Sequence, residues 1–261
     1  MIDLLVSPWE ALSANQIIVA VCVVFLGGTV RGATGFGGAM VMTLPLSLIF
    51  KPSEAILAVL LLELVGPATI LRAALSVLDQ SKPAKITFLL ISITALLILP
   101  LGIWLQNHLD QQRITFVMAC VISISSLALI FRAPKHIINT KVRSAFTGLI
   151  SGLMVALTGI GGAPVVLYIH ASEKNHQLAR AFLMLYVTTI SIIMISASFL
   201  LLPVGITPFL IAFAMIPIFF LGTLLGHQLT IKFNGLVMRS ISLWLLVFGS
   251  TSYIIQLSIA R

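Results

Sequence analysis

Two tracts decide how this sequence is read: Arg31-Gly32-Ala33-Thr34-Gly35-Phe36-Gly37-Gly38-Ala39 and Thr158-Gly159-Ile160-Gly161-Gly162-Ala163-Pro164. Each sits in the middle of a long apolar run. Glycine there frees the backbone to leave a helix and lets another group approach closely. Irregular backbone at bilayer depth is tolerated only where protein or a water-filled cavity satisfies it. A helix that restarts after such a break turns unpaired N–H groups and a positive dipole end toward the gap, which suits an anion. Pro164 fits this picture, because proline favours the first helical turn. The competing explanation is close helix packing through small residues. Two such tracts, in corresponding positions of two halves, favour a site.

The surrounding composition fixes the solvent. Of 261 residues, 59% are hydrophobic and 8% charged, with a mean hydropathy of +1.16. A water-soluble domain carries about 25% charged residues, and disorder needs low hydrophobicity. Both are excluded, and the chain reads as an all-α polytopic membrane protein. Its net charge of +8 fits loop anchors better than nucleic-acid contacts. Cys22 and Cys120 lie in apolar runs and are expected to be small packing residues, without metal-type spacing. No basic residue precedes the first apolar run, so that run is expected to be retained rather than cleaved as a signal.

A spanning helix needs about 20 apolar residues. Candidate spans are Ala11–Val30, Gly32–Phe50, Ala55–Leu71, Ile86–Asn107, Ile114–Phe131, Ser144–Ser172, two helices from Ala181–Ile231 divided at Pro203, Gly205 and Pro208, and Ser240–Ala260. An offset of 124 residues places Gly28 on Gly152, Thr34 on Thr158, Gly35 on Gly159, Gly37-Gly38-Ala39 on Gly161-Gly162-Ala163, and Gly102 on Gly226. The chain is therefore expected to be two homologous repeats, 1–131 and 144–261, joined by a basic cytoplasmic linker, 132–143. Cytoplasmic loops collect Lys and Arg. Four simple crossings per half divide the basic loop residues 8 to 6. Letting segments 16–50 and 144–171 enter and return on one side gives 11 inside against 3 outside, with Arg31 set aside. This arrangement, with glycine-broken or re-entrant helices and inverted repeats, is preferred. It leaves Lys51, Arg113 and Arg261 outside.

The candidate anion ligands are Arg31, Thr34, Gly35, Gly37 and Gly38 in the first half, and Thr158, Gly159, Gly161 and Gly162 in the second. A guanidinium in an apolar span needs a partner or water and suits bidentate oxyanion recognition; the alternative is snorkelling to the interface. Glu63, in Leu60-Leu61-Leu62-Glu63-Leu64-Val65-Gly66-Pro67, is a candidate for a coupling proton or for pairing with Arg31, and Gly66-Pro67 is expected to bend its helix. The repeat partners of Arg31 and Glu63 are Val155 and Val187, so neither charge belongs to a symmetric framework. His170 and Arg180 are candidates for lining an entrance. No Cys/His/Asp cluster suggests a metal and no phosphate-binding loop suggests ATP; no cofactor is expected.

The two tracts, with Thr43-Leu44-Pro45-Leu46 after the first and Val165-Val166-Leu167-Tyr168 after the second, make the chain resemble the sulfite exporter TauE/SafE family of bacterial membrane permeases. Ala163 stands where related sequences often have proline. The resemblance implies a multi-pass protein of the bacterial inner membrane that moves small sulfur-containing anions such as sulfite or sulfonates. The expected activity is thus secondary transport of a small anion by alternating access, not catalysis. Alternatives are a cation- or proton-linked transporter of another solute, or a non-transporting membrane scaffold. The expected partners are the anion and the lipid bilayer, with no nucleic acid; oligomeric state is left open.

Overall fold

The computed structural model describes residues 9, 12–65, 71–131, 140–173, 175–201 and 204–232, with 244, 247, 250, 251 and 254. Within these residues the chain is helical: α1 Ala14–Thr34, α2 Gly38–Ile49, α3 Pro52–Val65, α4 Leu71–Asp79, α5 Lys82–His108, α6 Gln111–Phe131, α7 Lys141–Thr158, α8 Gly162–Ser172, α9 His176–Leu201 and α10 Thr207–Lys232. Five of them, α1, α5, α6, α9 and α10, are long and apolar enough to cross a membrane. Large apolar side chains such as Leu97, Ile124, Leu200 and Phe213 point outward from four of these. In water that surface would be a liability; against lipid tails it carries no penalty. This is a multi-pass membrane protein.

Both glycine tracts break a helix. α1 ends on Gly35 in the left-handed conformation, whose N–H donates to Arg31 O at 2.8 Å; α7 ends on Gly159 in the same way, donating to Val155 O at 2.8 Å. After each break a short helix follows. α2 lies beside α1, with Met42 against Gly27, and Trp9 meets Phe50 edge-on at 5.5 Å. The second pair is joined at its far end by Ser144 Oγ and Tyr168 OH, 2.9 Å apart.

The remaining glycines explain how the helices approach. Gly28 and Gly32 of α1 face the Phe219 and Thr223 backbone of α10, while Gly222 and Gly226 of α10 face the Phe25 and Thr29 backbone of α1. Gly148 and Gly152 of α7 sit against the Ile91 and Ala95 backbone of α5. A side chain at these positions would run into backbone that has nowhere to go. Both pairs are parallel, since their contacts advance in the same direction along both helices. Each also joins a first-half helix to a second-half helix. The contacts obey the 124-residue offset: Gly28 on Phe219 is echoed by Gly152 on Ala95.

Several expectations change. The expected span Gly32–Phe50 is divided, with Gly32 belonging to α1 and the rest of its helix starting only at Gly38. The run Ser144–Ser172, too long for one upright helix, is two helices broken at its glycine tract, in keeping with the glycine-broken arrangement, and 181–231 divides as expected. α4 is a further helix, nine residues long, with Ala74 and Leu78 buried and much of its remaining surface exposed, too short and too polar on one side for the hydropathy signal. Cys22 faces outward rather than packing, and Cys120 is half-buried. The expected bend at Gly66-Pro67, residues 132–139 of the linker, most of the expected span Ser240–Ala260, and Arg261 lie outside the described residues.

Candidate functional site

The two breaks meet. A cavity of about 30 Å³ is walled by Arg31, Phe36, Gly37 and Glu63 from the first half, and by Gly159, Gly161, Gly162 and Ser191 from the second. A water needs roughly 10–15 Å³ measured this way, so the cavity holds about two waters. The helices must part to admit anything larger.

Arg31 and Glu63 are both buried, at 5% and 2% exposure, and Arg31 Nη1 stands 2.5 Å from Glu63 Oε2. The contact is an ion pair without aligned hydrogen-bond geometry. Arg31 Nη2 also donates to Glu63 O at 3.5 Å. Arg31 therefore does not snorkel; it is held in the interior by its carboxylate. Glu63 lies against the first turn of α2, next to the Ala39 backbone, where a Cβ on Gly38 would come within 2.5 Å of Oε1. The glycine is required because the carboxylate sits where a methyl would be. This places a negative group at the positive end of α2.

The second break has the same left-handed helix end and different chemistry. A Cβ on Gly162 would meet Val187 at 3.7 Å, so Val187 stands over α8 as Glu63 stands over α2. The tip is fixed by hydroxyls. Thr158 Oγ1 donates to Met154 O at 2.7 Å and accepts from the Ile160 N–H at 3.2 Å. Ser151 Oγ donates to Gly161 O, and Tyr186 OH donates to Ser151 Oγ at 2.7 Å.

The glycines of the tracts divide between the two roles considered from sequence. Gly32 serves helix packing; Gly37, Gly159, Gly161 and Gly162 line the cavity, and Gly38 receives Glu63. Gly35, Gly37 and Gly159 have φ of 80°, 86° and 72°, a region that glycine enters freely. Thr34 closes α1, and Thr158 is buried at the end of α7. Arg180 is exposed on α9 with its Nε 3.8 Å from a Cβ placed on Gly35. The offset counterpart of that contact is Gly159 against Ile56. His170 is outside the cavity lining; its Nδ1 is 3.0 Å from Val166 O.

Sequence reading missed Ser191. It is fully buried, lines the cavity, and its Oγ has no hydrogen-bond partner among the described residues. Its position held the signal: Ser191 lies four residues after Val187, the counterpart of Glu63, on the same helix face.

A second, larger pocket of about 380 Å³ opens elsewhere, between Lys51, Glu54, Gln106, Gln111, Gly205 and Pro208. It gathers three chain segments: the α2–α3, α5–α6 and α9–α10 connections. No cluster of metal-ligating side chains occurs among the described residues.

Comparison with known families gives one match: the model described as Sulfite exporter TauE/SafE aligns with residues 20–253. No curated protein and no solved structure matches the chain.

Proposed function

The chain belongs to the sulfite exporter TauE/SafE family of membrane transporters, and on that premise we propose that it is a permease for small sulfur-containing anions, such as sulfite or sulfonates, in a bacterial inner membrane. The observation that carries this reading is the meeting of both glycine breaks around one small buried cavity that contains the Arg31 guanidinium. Paired broken helices around a central site are a common construction of secondary transporters. Arg31 supplies positive charge and the two tracts supply backbone donors, while the Thr158 hydroxyl, committed to Met154 O and the Ile160 N–H, fixes the helix tip. Arg180, beside Gly35, marks an entrance, with His170 nearer the interface.

The ion pair gives the coupling. While Glu63 is ionised, Arg31 is neutralised. A proton on Glu63 releases Arg31 for an incoming anion, and the pair re-forms when proton and anion leave. The same pair disfavours the cation-carrying alternative, because the only intramembrane carboxylate among the described residues is already bound to an arginine.

Three observations support inverted repeats whose broken segments enter and leave on one side. Trp9 touches Phe50, and Ser144 touches Tyr168, so both ends of each broken segment lie together. The pocket at Lys51, Gln106 and Gly205 joins connections that simple crossings would place on opposite faces. Alternating access then moves the cross-half helix pairs about the central cavity.

Purified protein in proteoliposomes, offered sulfite, thiosulfate, methanesulfonate and acetate, should carry the sulfur oxyanions; flux of cations alone would overturn the reading. Glu63→Gln should carry anion without response to a pH gradient. Single cysteines at Lys51, Arg113 and Gly205 should react with an impermeant reagent from one side, and those at Lys85 and Arg180 from the other. Labelling of the Gly205 position together with Lys85 would defeat the inverted arrangement.

A further inference from the structure

Each break ends its first helix on a left-handed glycine, and the two differ in what lies over the restarted helix. At α2 it is the carboxylate of Glu63; at α8 it is the isopropyl group of Val187. α8 starts on Gly162 after Gly161, with no side-chain cap on its first-turn N–H groups, and Pro164 offers no N–H. An uncapped helix start in a dry interior is a red flag unless a ligand meets it. A second observation points the same way. Ser191 Oγ, fully buried and without a partner, lines the cavity that Gly161, Gly162 and Ala163 also line.

We propose that the transported anion is held at the start of α8 by the Gly162 and Ala163 N–H groups and the Ser191 hydroxyl, the place corresponding to the one Glu63 fills at α2. This rests on the permease reading and refines it. In the first half the anion position belongs permanently to a tethered carboxylate. In the second half the corresponding position is left to the cargo, and Val187 keeps it free of a competing charge. Arg31, released when Glu63 takes up a proton, completes the site from the opposite wall. The donor set is two amide N–H groups, one hydroxyl and one guanidinium. It suits a compact oxyanion with several acceptor oxygens, as in a sulfite or a short sulfonate, whereas a neutral solute would leave the guanidinium charge uncompensated.

The test uses full-length protein in detergent and in proteoliposomes, with sulfite and methanesulfonate as probes. Saturable thermal stabilisation by the probe gives binding, and flux gives transport. Ser191→Ala should raise the half-saturating concentration about ten-fold or more, the usual loss for a hydrogen bond to a charged group. Val187→Glu, which places a carboxylate over α8, should reduce probe binding by more than a hundred-fold. Ser198→Ala, a buried hydroxyl on the same helix outside the cavity lining, should match wild type. Ser191→Ala removes a single oxygen and keeps the readout available should Val187→Glu fail to fold. Wild-type affinity in Ser191→Ala would overturn the placement while leaving the permease reading intact. Absence of any saturable response in wild type would overturn the permease reading itself.

Discussion

The tip of the first broken helix pair is charged and occupied by its own protein; the tip of the second is neutral and braced by hydroxyl groups. Both end a helix on a left-handed glycine that donates to the residue four back. Both start the next helix on a glycine under a side chain from the following long segment. The charge lies at two positions, where Arg31 and Glu63 stand in place of Val155 and Val187, and the hydroxyl brace at two more, where Ser151 and Tyr186 stand in place of Gly27 and Leu62. The same way of ending a helix thus carries an ion pair at one break and a hydroxyl network at the other.

Removing that pair piecewise is the strongest way to break the comparison. Arg31→Val leaves Glu63 buried without its partner and should cost about 3–5 kcal/mol, read as a large fall in apparent Tm, with anion flux lost. Arg31→Val combined with Glu63→Val gives the first tip the two valines of the second. That double variant should recover most of the lost stability, because a buried ion pair is often replaceable by apolar side chains, while flux stays absent. A double variant no more stable than the single would show that the pair is not what separates the two tips.

A smaller effect separates the tips by backbone. Gly37 has φ of 86°, whereas its counterpart Gly161 has φ of −99°. Gly37→Ala should therefore cost about 1–2 kcal/mol by conformation, and Gly37→Asn should cost less, since asparagine enters the left-handed region more readily. At Gly161 the obstacle is crowding, with Val155 Cβ 2.8 Å from the added carbon, so asparagine should hold no advantage over alanine. Thermal stability of the four variants sharpens or erases this distinction. The smallest effect is expected at Tyr186→Phe, which removes the hydroxyl that donates to Ser151. It should lower stability by about 1 kcal/mol and leave transport near wild type.

Much of this was legible before any coordinates. The helix breaks follow from glycine at bilayer depth, and the cost of either charge alone in an apolar span makes pairing with Arg31 one of two roles open to Glu63, the one the structure shows. Ser191 was not legible in the same way. A single serine in a helix normally donates back to its own backbone, and only the third dimension reveals that this one is unpartnered and lines the cavity. Nor did hydropathy reveal that Gly28, Gly32, Gly222 and Gly226 form one close crossing. The two glycine pairs lie at opposite ends of the sequence, and no local pattern links them.

That crossing also has a bearing on synthesis. As the chain emerges, α1 enters the membrane with its glycine face exposed, and the helix that will cover it, α10, is made only after residues 35–206. The first broken segment must therefore persist in lipid as a half-finished structure. What it does not carry through that interval is an uncompensated charge. Glu63 follows Arg31 closely in the chain, so neutralisation is complete long before the glycine face is covered. The ion pair is thus an early event in biogenesis and the glycine crossing a late one.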